Sequence, residues 1–345
     1  MSTYAETIAE FATAPGVVPD HVVADTHLRV IDTIGNSFAA PEAVADDEPY
    51  RVIRRIVEER GGSGRSTLLG TGVALPTPSA ALYNGTLAHS LDFDDTHLPS
   101  VLHPSASIVP AALAVAEEVD AGGRALLEAV ALGSEVCNRL GMASYDKQPR
   151  NSIFFEKGFH ATSICGTIGA AVAASVLRGA TAGQLMSAMA IAASMGAGII
   201  EANRTGGTVK RIHCGWAASA GVEASSFALA GLTGPPTVFE GRFGFFRAYI
   251  DEAPDADALV RELGEHWETT RTVYKPYPSN HFTHPGIDCA LELKRQGLDP
   301  ARITAIELGV AAAPLRTIGE PIEEKIAPRS AYHAKFSGPF TIATA

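Results

Sequence analysis

Basic charge is the first thing this 345-residue sequence has too little of: 27 Lys and Arg stand against 38 Asp and Glu, for a formal net charge of −11. A chain of that balance, with a pI near 5.5, offers no general basic face, which argues against nucleic acid or an anionic membrane as partner. Cysteine is equally sparse. The four present (Cys137, Cys165, Cys214, Cys289) are scattered, with no CxxC pair and no Cys/His spacing of a zinc site, so neither a structural metal nor an iron–sulfur cluster is expected and a reducing cytoplasm suits them. The opening MSTYAETIAEFATAPG carries acids where a secretory signal would carry a basic stretch and then an apolar one, so no export is expected. No uninterrupted hydrophobic run of membrane length occurs either. The most apolar stretch, 163–200, is Ala/Gly-rich and broken by Arg178, Gln184 and several Gly, which points to buried, closely packed helices.

What is present is helical periodicity. Apolar residues recur at three- and four-residue steps over 4–12, 22–39, 51–60, 78–91, 107–119, 124–142, 160–177, 182–198 and 213–232, predicting amphipathic or buried helices. Pro19-Asp20 marks the start of the second, and Ser105 or Ser107 is the expected N-cap of the fifth. Small residues dominate GTIGAAVAAS, AMAIAASMGAG and GWAASAGVEASS, which lets helices approach closely. After Trp267 the composition shifts, and RITAIELGV alternates as a strand does. The expected organisation is mainly α: a large all-helical domain over 1–266 and a smaller α+β lid domain over 267–345. The chain stops at FSGPFTIATA inside an apolar segment that should start a helix, so the small domain is expected to be C-terminally short or covered by partner surface.

Chemistry concentrates in HSLDFDDTHLPSVLHPSAS, residues 89–107. Three carboxylates (Asp92, Asp94, Asp95) and three imidazoles (His89, His97, His103) stand close together with Thr96 among them. Neighbouring Asp and His share or relay a proton near neutral pH. A solvated turn would account for any one of these acids, but the whole cluster, flanked by apolar helices, reads as a site. GFHATS puts His160 just ahead of an apolar helix, where the helix dipole favours a neutral imidazole. GGTVKRIHCGW brings Lys210, Arg211 and His213 to the entry of the next helix, a candidate carboxylate cradle. YKPYPSNHFTHP gathers Tyr274, Lys275, Tyr277, His281 and His284 where the domains join and a cleft would form. TGPPTVFEGRFGFF reads as a structural loop.

In order, LAHSLDFDDTH with HPSASIVPAALAVAE, GFHATSICGTIGAA, KRIHCGWAASAG, TGPPTVFEGRFGF and YKPYPSNHFTHP resemble the 2-methylcitrate dehydratase (MmgE/PrpD) family, which also holds cis-aconitate decarboxylase and iminodisuccinate epimerase. The resemblance implies a homodimer and cofactor-independent chemistry on di- or tricarboxylic acids. The family's pattern falls on Asp92, Thr96, His103, His160, Lys210 and Lys275. It assigns proton transfer to Asp92, His103 and His160, with His103 as acid and His160 as base or carboxylate ligand. Binding of the polycarboxylate falls to Thr96, Lys210, Lys275 and His281. Departures are visible. One extra residue separates Thr96 from His103 relative to the decarboxylase pattern, Asn280 stands where that pattern has a histidine, and Phe340 aligns with its late tyrosine. The expected activity is therefore a 2-methylcitrate dehydratase-like hydro-lyase, ahead of epimerase or decarboxylase action or a non-catalytic short member. A magnesium-dependent terpenoid synthase is the competing all-α reading, but DFDDTH lacks the DDxxD spacing.

Overall fold

The computed structural model describes residues 2–43, 48–147, 151–205 and 207–345, and Gly206 of the GGTVK turn lies outside them. Two compact units result, 1–200 with 208–274 and 201–207 with 275–345.

The large unit is built of helices α1 (Tyr4–Ala12), α2 (Asp20–Ala43), α3 (Pro49–Arg60), α4 (Thr77–Ala88), α5 (Ser105–Val119), α6 (Gly123–Ala143), the short α7 (Ile153–Glu156), α8 (Ala161–Leu177) and α9 (Ala182–Met195). After α10 (Ala202–Thr205), which belongs to the small unit, come α11 (His213–Leu229) and α12 (Phe245–Ile250). Every helix expected from periodicity up to residue 232 is formed, so the mainly α class holds. The helix ends follow local chemistry. Thr3 and Thr181 each accept from the backbone N–H three residues on while Glu6 and Gln184 reach back, closing two capping boxes. Among the described residues of this unit the strands form three antiparallel two-residue pairs: β1 (Ser66–Thr67) with β2 (Ala74–Leu75), β3 (Thr96–His97) with β6 (Thr272–Val273), and β4 (Tyr145–Asp146) with β5 (Asn151–Ser152).

Small residues let α8 sit at the centre, against α5, α6, α9 and α11. A Cβ on Gly133 of α6 would lie 2.5 Å from the Gly169 carbonyl oxygen of α8, and one on Gly215 of α11 would lie 2.2 Å from the Leu82 carbonyl oxygen of α4. These helices touch backbone to backbone, which side chains larger than hydrogen would prevent. No helix among the described residues is long and apolar enough to cross a membrane.

Residues 267–274 group with the large unit, and buried polar contacts hold them there. Arg139 of α6 pairs with Glu135 at 2.7 Å and donates to the carbonyls of Ala258, Arg261 and His266, while Glu135 accepts from the Thr269 N–H at 2.9 Å. Breaking one partner of such a buried pair costs about 3–5 kcal/mol. Residues 267–274 are thereby held on α6, and β6 pairs Val273 with Thr96.

The small unit carries α13 (His284–Arg295), α14 (Ala312–Ile318), α15 (Ile322–Ile326), α16 (Ala331–Ala334) and α17 (Gly338–Thr344). Helix α13 packs on α17. The strand expected in RITAIELGV is not formed: 303–310 is irregular, with Ile303, Ile306 and Leu308 exposed. Alternation specifies two faces, but a strand also needs a backbone ladder beside it, and no described segment supplies one here.

Candidate functional site

The 89–105 segment leaves the C-terminal end of α4 and returns into α5, and its polar side chains are buried, with His103 half-buried. Two of the three acids and one histidine hold the segment in place. Asp95 faces Arg29 of α2 at 3.6 Å and accepts from the Ser105 hydroxyl at 2.6 Å and the Ser105 N–H at 3.3 Å. Ser105 is therefore no N-cap: that position is Pro104, without a side-chain cap, and the serine hydroxyl is turned onto Asp95. Burial pushes the Asp95 carboxyl above the ordinary range, against the pull of Arg29. His97 bonds Ser100 at 2.7 Å and Glu268 at 3.2 Å, and burial lowers it below its usual value while Glu268 opposes. Asp94 accepts from His89, Nδ1 to Oδ2 at 2.9 Å.

The other groups converge. Lys210, on the short turn Val209–Ile212 that leads into α11, brings its ammonium 3.1 Å from His89 Nε2 and 3.4 Å from Asp92 Oδ1. Asp92 sits in the left-handed region at φ 52°, a conformation a non-glycine residue keeps only where its surroundings hold it. The His103 and His160 rings lie 6.3 and 6.0 Å from that of His89. His103 Nδ1 is 2.6 Å from the Asp95 carbonyl oxygen and 3.2 Å from the Thr96 hydroxyl, and its backbone N–H donates to Thr162 at 3.1 Å. Only an Nδ1–H can bond a carbonyl, so this ring presents Nε2 for proton transfer. His160, the N-cap residue of α8, meets His213, Nδ1 to Nδ1 at 3.0 Å.

These surroundings keep imidazoles neutral. His160 is held well below its ordinary value by burial, then by Lys210 and the neighbouring histidines. His213 is lowered to about 4 by burial and then by Lys210 and His89. Burial and one ammonium thus act on His160 in the direction expected of the helix dipole.

The structure brings together five of the residues singled out from sequence: Asp92, Thr96, His103, His160 and Lys210. Arg211 is not part of the cradle, since it pairs with Glu48. Lys275 and His281 belong to the small unit, where the His281 and His284 rings stand 4.6 Å apart and burial, His284 and Lys275 lower His281 to about 4. From sequence, His89 and Asp94 are read only as members of the Asp/His cluster and His213 only as part of the basic turn, with no individual role for any of them. Their signal was their place beside residues that had one, His213 standing three residues after Lys210.

His89, Asp94 and Cys214 also offer three possible metal-ligand atoms within 4.8 Å of one another. They fit a cation poorly: His89 Nδ1 and Asp94 are already bonded to each other, and the Lys210 ammonium already supplies positive charge at the same ring.

Residues 6–256 match the MmgE/PrpD N-terminal domain and residues 277–345 the MmgE/PrpD C-terminal domain. Cis-aconitate decarboxylase of Homo sapiens is 31% identical over 285 residues, 81% of this chain and 57% of that protein. That of Mus musculus is 30% identical over 291 residues, 82% of this chain and 57% of its own length. Cis-aconitate decarboxylase of Aspergillus terreus (strain NIH 2624 / FGSC A1156) is 26% identical over 244 residues, 68% and 49% respectively. The chain thus spans about half the length of these relatives.

Proposed function

The chain belongs to the MmgE/PrpD family, and from that premise we propose that it is a cofactor-independent lyase acting at the carbon α or β to a carboxylate of a di- or tricarboxylic acid. The observation that carries this reading is one buried cluster in which the Lys210 ammonium stands beside Asp92 and His89, with the rings of His103 and His160 at its edge. A proton α to a carboxylate is only weakly acidic, so removing it requires a positioned base and a cation where negative charge builds on the carboxylate oxygens. Neutral His160 is the base of this proposal. Lys210 is the cation, and Asp92 holds it until a substrate carboxylate competes. His103, its Nδ1–H fixed on the Asp95 carbonyl, delivers a proton from Nε2 to the departing hydroxyl in a dehydration. Thr96 orients that ring. Lys275 and His281 remain candidate substrate ligands of the small unit.

Dehydration of 2-methylcitrate and decarboxylation of cis-aconitate both draw on this set. The names of the relatives favour cis-aconitate, while Asn280 and Phe340, at positions where the decarboxylase pattern has histidine and tyrosine, favour the hydro-lyase. Proton NMR of the purified chain with 2-methylcitrate, citrate, cis-aconitate and iminodisuccinate in D₂O separates them, because deuterium entry at one α-carbon reports the first step and the product reports the second. No exchange and no product with any of the four overturns the proposal. The second copy of the chain implied by the family belongs to the same proposal. Exposed Leu28, Ile31 and Phe38 along α2 are apolar surface of the kind a partner covers, and sedimentation tests it.

A further inference from the structure

We infer that His213 acts on the reaction through His160, as the second half of an imidazole pair that passes a proton to and from it. The inference rests on the reading of this site as a proton-transfer centre and adds a residue to it. The two rings meet through Nδ1 atoms 3.0 Å apart, with ring centroids 5.1 Å apart. Two nitrogens at that distance hold one proton between them: one ring donates N–H and the other accepts with its lone pair.

The contact is built from both sides. His160 is the last residue before α8 and His213 the first of α11. Ser163, in the first turn of α8, donates to the His213 carbonyl at 3.2 Å, tying one helix start to the other. Gly198 makes the room. Its carbonyl accepts from the His160 N–H at 3.0 Å, and a Cβ there would stand 3.2 Å from His213 Nδ1 and 3.4 Å from His160 Cβ, at a φ of +137° that side chains rarely adopt.

The proton count closes. At rest both rings are neutral, with His160 donating its Nδ1–H to His213 and carrying a lone pair on Nε2, and with His213 protonated on Nε2. When His160 Nε2 takes the α-proton, the C–H electron pair stays on the substrate and spreads into its carboxylate, and His160 becomes imidazolium. Transfer of the shared proton to His213 Nδ1 moves the positive charge onto His213 and leaves His160 neutral with a proton on Nε2. Return of that shared proton as Nε2–H is given up, to a carbon or to solvent after product leaves, restores the starting pair with no net proton gained. The pair lets the nitrogen that took the α-proton hold it without keeping the positive charge beside Lys210, while His103 serves the departing hydroxyl. Burial and Lys210 keep both rings neutral until a substrate's negative charge arrives.

The test separates a relay from a mere support. Asparagine in place of histidine keeps a hydrogen-bonding group near the Nδ1 position but cannot carry a proton through. In His213→Asn, α-carbon deuterium exchange with 2-methylcitrate and cis-aconitate should fall by about 10²-fold, as far as in His213→Ala, with the thermal melt of the Asn variant unchanged at pH 8. Retention of exchange to within about tenfold by His213→Asn, alongside loss by His213→Ala, makes His213 a support and overturns the inference. A second measurement needs no substrate. Nitrogen-15 histidine spectra of the full chain should show His160 protonated on Nδ1 and His213 protonated on Nε2, with a scalar coupling between the two Nδ1 nitrogens through the shared proton that is lost in His213→Asn. A His160 unprotonated at Nδ1 together with a His213 unprotonated at Nδ1, with no coupling between them, overturns the relay. If none of the acids exchanges, the proposed function fails and the spectra alone decide the relay.

Discussion

His89 Nε2 lies 3.1 Å from Lys210 Nζ while His89 Nδ1 faces Asp94 Oδ2 at 2.9 Å. A carboxylate can only accept, so Asp94 sets the Nδ1–H tautomer, and the ring's remaining lone pair then receives an N–H of the ammonium. Lys210 is held by an imidazole on one side and by Asp92 on the other, which makes His89 a positioning residue.

Lys210→Met should raise KM for an anionic substrate, and because Lys210 is buried beside Asp92 it should also cost stability. Removing the ammonium leaves a buried carboxylate without its cation, a loss of about 3–5 kcal/mol, read as a lowered midpoint in urea. Lys210→Met combined with Asp92→Asn should regain most of that stability while KM stays high. A double variant as unstable as the single one would show that the pair does not set the cost.

His103 and Thr96 should separate in magnitude. Loss of the proton-transfer ring in His103→Ala should lower kcat by about 10²–10⁴-fold. Thr96→Val should cost far less, because the Asp95 carbonyl at 2.6 Å still fixes the Nδ1–H. Steady-state kinetics of the two variants check this, and equal losses would place Thr96 on the substrate.

Much of this was legible in the chain and some was not, for reasons of range. Helix α1 was read to both ends because its capping box and its apolar spacing lie within ten residues. Asp92, Thr96, His103, His160 and Lys210 could be singled out because each sits in a short motif at a helix end that also carries the family resemblance. Asp95 and His97 looked like chemistry and turned out to hold the loop, since their partners Arg29 and Glu268 stand far away in sequence. His213 was seen as part of a basic turn but not as a partner of His160, because that contact exists only once α8 and α11 start side by side. The strand over 303–310 failed for the matching reason: its pattern was local, and the ladder it needed was not.

Stability should fall on the acid side of neutrality. His160 is held well below its ordinary value and His213 at about 4, so between about pH 6.5 and 4 the unfolded chain binds protons that the folded chain refuses, and stability is lost as pH falls through that window. Asp32 works the other way. Burial and then Asp95 and Asp94 raise it to about 6, so the folded chain keeps a proton there that the unfolded chain releases, and stability falls as pH rises from about 4 to 6. The buried histidines outweigh the half-buried acid. Thermal melts should therefore peak above about pH 6.5, His213→Asn should gain on the unaltered chain at pH 5 relative to pH 8, and Asp32→Asn should gain more at pH 7 than at pH 4. A flat profile through this window would refute the assigned protonation states.

The spacing of α4 and α11 decides whether the site exists at all. Gly85 and Gly215 face each other so closely that a Cβ on Gly85 would be 2.8 Å from the Gly215 Cα, and one on Gly215 would be 2.2 Å from both the Leu82 carbonyl and the Thr86 hydroxyl. Backbone cannot yield there as a flexible side chain would, so Gly215→Ala must push the helices apart, at about 1–3 kcal/mol or more. Those helices carry the two halves of the cluster, His89 and Asp92 just past the end of α4 and Lys210 and His213 at the start of α11. A displacement at residue 215 therefore opens the 3.1 and 3.4 Å contacts of Lys210. Gly183→Ala is the control, in a helix with nothing within 4 Å of the added Cβ, where a better helix former should be neutral or stabilising by up to about 1 kcal/mol. Denaturant unfolding and α-proton exchange measured on both variants should show Gly215→Ala losing stability and activity together and Gly183→Ala losing neither. A Gly215→Ala protein as stable and as active as the unaltered chain would mean that close contact of α4 with α11 is not what positions Lys210.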